Sequence, residues 1–209
     1  MAFSELQVGP RQANDGAMTV ARGDKSGALV THAMHGQYYE AVSRGNVFWT
    51  ANQSGVTSQA GLSVTTPVLT VYNPIGSGVD CSLLFAGATF LVAFAAAAIV
   101  WLAAGVPGGG ADVTGTAAVV RSARVGSMQQ SRVQPFLAAT LPLVPVGIDI
   151  LGVGLTAAIT TVPQIQVLDR HYNGSVVVVP GGNISIQTST ASGTNSTACM
   201  FVWEEIPLV

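Results

Sequence analysis

The chain has 209 residues, a formal net charge of −2 and 9% charged residues, against roughly 25% in an ordinary soluble domain. Eight residues are basic and Lys25 is the sole lysine, which excludes the basic surface that binds nucleic acid. Hydrophobic residues reach 49% and mean hydropathy is positive, so the chain either crosses a membrane or gives much of its surface to contacts with other subunits.

Residues 1–46 are the most polar part and hold eight of the charges, among them Glu5, Arg11, Arg22 and Glu40. Their Gly and Pro spacing allows only short elements, such as residues 28–32 and 37–41, and the segment reads as an extended arm. It opens on MAFSELQVG, with no basic region ahead of an apolar one, so no secretory signal is expected. His32 and His35 are three apart, a spacing that puts two ligands on one metal if the segment is helical. No Cys or carboxylate cluster stands nearby, and structural histidines are the simpler reading. Arg22-Gly23-Asp24 reads as a polar turn.

From Val47 the pattern is β. Residues 47–50 are aromatic and β-branched, 53–66 are a Ser/Gly/Thr/Gln loop, and 68–72 are a strand closed by the Asn73-Pro74 and Ser77-Gly78 turn dipeptides. Residues 81–111 carry no charge at all. That length exceeds the ~20 residues of a membrane span. However, its nearest charges are Asp80 and Asp112 rather than Lys or Arg, and Gly87, Gly105 and the 107–110 Pro-Gly run interrupt it. Its large residues fall on both strand parities: Leu83 and Phe85 on one, Leu84, Phe90, Val92 and Phe94 on the other. Strands buried on both faces are expected, with residues 95–98 favouring helix on propensity alone. A break at 107–110, a strand over 116–122 and a polar loop over 124–132 follow. A second apolar block, 136–145 and 148–162, is punctuated by Pro142, Pro145, Gly147, Gly152 and Gly154, and Asp149 is its only charge.

His171 falls in a polar stretch with Asn173-Gly174 as the expected turn. Residues 175–179 form a β-branched run, 183–188 alternate strictly with Ile184, Ile186 and Thr188 on one face, and 199–206 form a last strand. Cys81 and Cys199 sit in separate strands and are expected as free thiols. The four N-x-S/T sites, at Asn52, Asn173, Asn183 and Asn195, are β composition rather than glycan acceptors. Adjacent residues of a strand point to opposite faces, so Glu204 and Glu205 do not form an acid/base pair and read as edge charges. No nucleophile triad, P-loop or dinucleotide fingerprint appears.

The run Val176-Val-Val-Val-Pro-Gly-Gly-Asn183-Ile-Ser-Ile-Gln187, a Ser/Thr/Gly loop, and Phe201-Val-Trp-Glu-Glu-Ile-Pro207 resemble the closing hairpin of jelly-roll proteins on tailed-phage virions. Thr65-Thr-Pro-Val-Leu-Thr-Val-Tyr-Asn-Pro74 followed by Gly76-Ser77-Gly78 is similar to the start of those domains. The likeness covers roughly residues 48–207, and the apolarity of 81–162 departs from it. It implies trimeric capsid decoration (cement) proteins, head fibres or tail appendages.

The expectation is therefore an all-β, jelly-roll-like antiparallel β-sandwich over residues 47–209, with an N-terminal extended arm over 1–46 that docks to the coat or a neighbour. It is a non-enzymatic virion protein on the capsid exterior, assembled in the host cytoplasm. Its partners are itself, as a homotrimer, and the major capsid protein, with no nucleic acid, membrane, metal or cofactor. Interface candidates are Phe48, Trp49, Trp101 and Trp203, with the basic cluster Arg121, Arg124 and Arg132, which contacts a partner or lies in a solvated loop. The alternatives are a head-fibre or tail-fibre module that binds a surface glycan through residues 53–66 and 189–195, and a small holin-type membrane protein.

Overall fold

The computed structural model describes residues 36–90, 94, 96–106, 111–154, 167–191 and 197–208. The readings made for residues 28–32, Arg22-Gly23-Asp24, His32, His35, Ala95, 107–110 and Asn195 lie outside the described residues. The chain divides into two compact units, Met1–Tyr39 and Glu40–Val209. The described strands all fall in the second unit: β1 (Val47–Ala51), β2 (Leu69–Tyr72), β3 (Val79–Phe90), β4 (Ala98–Gly105), β5 (Thr114–Ala117), β6 (Val120–Ser122), β7 (Gln134–Thr140), β8 (Val146–Gly154), β9 (Val167–Val178), β10 (Asn183–Thr188) and β11 (Thr197–Pro207). A single helical turn, α1 (Tyr39–Ser43), precedes them.

The strands form two antiparallel sheets, one in the order β6-β1-β11-β3-β9 and one in the order β5-β7-β2-β10-β4-β8. They pack face to face as an all-β sandwich. Without β5, β6 and β7, each strand passes to the other sheet at every step except β4 to β8, which lie side by side.

The core lies between the sheets. Phe48, Phe201, Trp203, Leu83 and Ala86 come from the first sheet; Leu69, Val71, Leu102, Ile184 and Ile186 come from the second. Each side chain of this size stabilises the fold by about 1.5–3 kcal/mol on burial. Phe48 and Trp203 stack with ring centroids 6.3 Å apart, and both are essentially inaccessible.

The charge-free stretch supplies β3 and β4, and among the described residues no helix is long and apolar enough to cross a membrane. β3 is buried on both faces as expected, with Cys81, Ser82, Leu83 and Leu84 all buried, and a slip adds to its double parity. In β3 the register against β11 slips between Leu83 and Phe85. A bulge of this kind reverses which parity faces inward, so Cys81 and Leu83 face the core before it and Ala86 and Ala88 after it. Ala96 and Ala97 are exposed and not helical, and Ala98 opens β4.

Two other expectations change. Residues 116–122 are not one strand, because the chain leaves the second sheet at Ala117 and joins the first at Val120. Asn173-Gly174 does not turn the chain between strands; it lies inside the long strand β9. Both residues take positive φ, +50° and +86°. Residues 172–175 bulge out where β3 has only Leu84 between the paired residues Leu83 and Phe85. Asn and Gly tolerate the left-handed region that such a bulge uses.

Candidate functional site

Several buried polar groups serve the fold. β11 lies in the middle of its sheet, so Glu205 does not guard an edge; it is buried. Its Oε1 accepts hydrogen bonds from the Arg132 N–H (3.0 Å), the Val133 N–H (3.2 Å) and the Ser131 hydroxyl (2.5 Å). The carboxylate thus pins the 123–133 loop to the sandwich. At the open side between the edge strands β8 and β9, Asp149 accepts from the Tyr172 hydroxyl (2.7 Å) and pairs with Arg170 (3.0 Å). Burial and this hydrogen bond push the Tyr172 phenol up. Tyr72, bonded to Asp112 at 2.5 Å, is likewise pushed up to about 12, chiefly by burial.

The cysteines are free and buried. Cys81 pairs in register with Glu205, and Cys199 with Ala88. The six-residue offset between Glu205 and Cys199 along β11 corresponds to about 20 Å, far beyond the 4.4–6.8 Å between Cα atoms that a disulfide needs. Burial pushes both thiols up, and Glu205 adds to the effect at Cys81. Among the described residues no three His, Cys, Asp or Glu side chains come together as metal ligands.

The loop over residues 53–66 is a lid on the polar side of β10. The Gln187 amide bridges Ser63, accepting from its N–H (2.7 Å) and donating to its carbonyl (3.0 Å), and the Thr188 hydroxyl donates to Ser58 (2.7 Å). Ser185 and Gln187 are therefore buried although they point away from the core. Asn52 and Asn183 are buried too, which rules both out as glycan acceptors.

Two of the open surfaces are apolar. On the outer face of the first sheet one cross-strand row runs Arg121, Trp49, Val202, Phe85, His171. The Phe85 and His171 rings meet edge-on with centroids 5.0 Å apart. Beside this row lies an open groove of about 240 Å³, lined by Phe85, Gly87, Thr89, Val167, Ala198 and Met200. Its floor exists because residue 87 has no side chain: a Cβ there would lie 3.0 Å from the Phe85 ring and 3.4 Å from Met200.

The second sheet exposes aliphatic side chains along its edge strand β8. Val146, Ile148 and Ile150 are 67%, 46% and 45% exposed, and Leu143 and Val144 just before them are exposed as well. Trp101 of β4 is half-buried opposite Ile150, with its ring against the bare backbone of Gly147.

The sequence-derived candidates separate on this geometry. Phe48 and Trp203 are core residues and cannot reach a partner, because the sandwich closes over both rings. Trp49 and Trp101 stand on the outer faces of different sheets. The three arginines do not form one patch. Arg124 donates to the Ser43 carbonyl, Arg132 to the Ser77 carbonyl, and Arg121 to the carbonyl of Val120. Arg121 also lines a hollow of about 620 Å³ beside β6, with Val120, Ser122, Met128 and Gln129. Sequence reading missed the β8 edge and the Gly87 groove. The aliphatic residues of β8 were visible, but its register slips twice against β4 and puts Val146, opposite Ala104, and Ile150, opposite Trp101, on different faces.

Models of protein families, curated proteins and solved structures all yield no match.

Proposed function

We propose that this chain is a non-enzymatic subunit of a tailed-phage virion, a homotrimeric jelly-roll decoration protein seated on the outside of the capsid. The observation that carries the reading is the apolar surface left open at Phe85 and Met200 on the outer face of one sheet and along β8, the edge strand of the other, at Val146, Ile148 and Ile150. Monomers rarely expose contiguous apolar patches of more than a few hundred Å², and obligate interfaces look like a domain core cut in half. The strand order supports the jelly roll. With β5–β7 taken as an insertion between β4 and β8, the remaining eight strands form the sheets β1-β11-β3-β9 and β2-β10-β4-β8. That is the pairing of two Greek keys rolled together, an architecture viral capsid domains use.

The mechanism is mechanical. A trimer at a local threefold axis bridges neighbouring coat subunits, and contacts on the order of 1,000 Å² or more hold the shell against the pressure of packaged DNA. Residues 1–46 are the segment that docks to the coat or to a neighbouring subunit. The glycan-binding alternative is weakened by the 53–66 loop, which is tied down on β10 through the Ser63 backbone and the Ser58 hydroxyl.

Sedimentation of the purified chain, followed by binding to undecorated capsids, tests the reading. Three copies of the 21.3 kDa chain give about 64 kDa, and the trimer should bind capsids while a chain lacking residues 1–46 should remain a trimer and not bind. A stable monomer, or a trimer with no affinity for capsids, sinks it.

A further inference from the structure

We infer that the hollow beside β6 is a binding site for a small hydroxylated carboxylate, the chemistry of a sugar acid. The site lies within one chain, so it stands or falls apart from the assembly reading above. The hollow is built by two elements. One wall is β6, an edge strand of the first sheet. The other is residues 127–131, part of the loop that Glu205 pins through Ser131. Gln129 is seated too, with its amide against the bare backbone of Gly45, where a Cβ would lie 2.5 Å from Oε1. The walls are thus fixed before any ligand arrives. The volume of about 620 Å³ falls within the roughly 300–1,000 Å³ of small-molecule sites.

The lining is mostly polar, and Arg121 is its only charged residue, so the ligand must bring polar groups and a negative charge. The guanidinium gives one N–H to the Val120 carbonyl (3.0 Å), and its other N–H groups have no partner among the described residues. Such a fork holds a carboxylate through two parallel hydrogen bonds. Gln130 is exposed, and its amide has no partner among the described residues. An amide donates and accepts at once, as neighbouring sugar hydroxyls require. Ser122 and Ser127 accept from the N–H groups of Arg124 and Gln129 (3.2 Å each), and each keeps its own proton to donate. Val120 and Met128 supply C–H surface for the face of a ring. A phosphate is poorly served: it carries nearly two charges against one cation, and the loop N–H groups of Arg124 and Gln129 are spent on the two serines. Glu205 does not repel an anion here, because it is outside the lining, buried, and engaged by Ser131, Arg132 and Val133.

Titration of the full-length chain at low salt, read by saturation-transfer NMR and calorimetry, tests this with three probes. Glucuronate carries both hydroxyls and a carboxylate, glucose the hydroxyls alone, and acetate the carboxylate alone. Glucuronate should bind roughly tenfold more tightly than either of the others. Arg121→Gln should bring glucuronate down to the level of glucose, and Gln130→Ala should weaken it severalfold. Both residues are exposed, so both variants should keep the wild-type circular dichroism. Arg124→Gln removes the same charge outside the lining and should bind glucuronate as wild type does. Acetate binding as tightly as glucuronate would mean that any carboxylate fills the site, an acidic side chain of a partner included, and overturns the sugar acid. Glucuronate binding no better than glucose, or surviving both Arg121→Gln and Gln130→Ala, overturns it as well, and so does no binding at all. None of these results touches whether the chain assembles, which sedimentation reads separately.

Discussion

Replacing Glu205 with Ala is the sharpest test of how the insertion between β4 and β8 is held. The carboxylate accepts from two backbone N–H groups, Arg132 and Val133, and from the Ser131 hydroxyl, all within 3.2 Å. Hydrogen bonds to a charged group contribute about 1.5–3 kcal/mol each, and a buried donor left without a partner costs about 1–3 kcal/mol. Removing the charge also relieves its desolvation, which offsets part of the loss. A net cost of about 3 kcal/mol follows, which for a chain of this size lowers Tm by roughly 6–12 °C. Glu205→Gln keeps one oxygen toward the same donors and should cost only about 1 kcal/mol. Thermal unfolding followed by Trp emission reads both, since Trp203 lies two residues away on the same strand. If Glu205→Ala unfolds within 2 °C of wild type, the carboxylate does not hold the loop and the account of its burial is wrong.

Cys81 and Cys199 should resist iodoacetamide at pH 8 in the folded protein and react fully in denaturant, because burial keeps both thiols protonated; rapid native labelling would contradict their placement. Raised values for Tyr72, Tyr172 and the two cysteines mean the folded state holds protons that the unfolded chain releases. Their stabilisation is therefore complete below pH 9 and is lost as pH rises, over pH 10 to about 12 for Tyr72. Tm should fall steadily from pH 9 to 11, and a flat or rising profile would refute this. Asp149→Ala removes the Tyr172 bond and the pairing with Arg170. Arg170 is half-exposed and solvent-screened, so the loss is about 1–2 kcal/mol and exceeds that of Arg170→Ala; the reverse order in urea denaturation would count against the latch. Trp101→Asp should leave a folded chain that fails to assemble, and an assembled variant would remove Trp101 from the interface.

Most of the strands were legible because their signals are local. The β-branched runs, the Pro-Gly and Asn-Pro breaks and the Ile184/Ile186 alternation all mark β1, β2, β10 and β11 within a few residues. The two-sided burial of β3 was legible, but the slip at Leu83 was not, because a bulge shows only against the partner strand. The same blindness misplaced Asn173-Gly174, where the residues that suit a tight turn also suit a bulge. Glu205 was misread because an acidic residue near the end of a strand says nothing about whether that strand lies at an edge. Among the site candidates, an aromatic run cannot say which ring faces in. Phe48 and Trp49 are neighbours in sequence, yet one fills the core and the other stands on the outer row.

The low charge of the chain and the exposure of β8 bear on each other. A nine-residue edge strand with Val146, Ile148 and Ile150 in the open is what soluble proteins normally avoid, using Lys, Pro or a covering segment. Here Lys25 is the sole lysine, and the only charged residue of β8, Asp149, is turned inward to Tyr172 and Arg170. An edge so undefended either aggregates or is covered by a specific contact. If a specific contact covers it, the wild-type assembly should bind a dye such as ANS weakly, and Ile150→Glu, which puts a charge on the edge, should weaken the assembly. An Ile150→Glu chain that assembles like wild type would mean that the edge lies outside the contact.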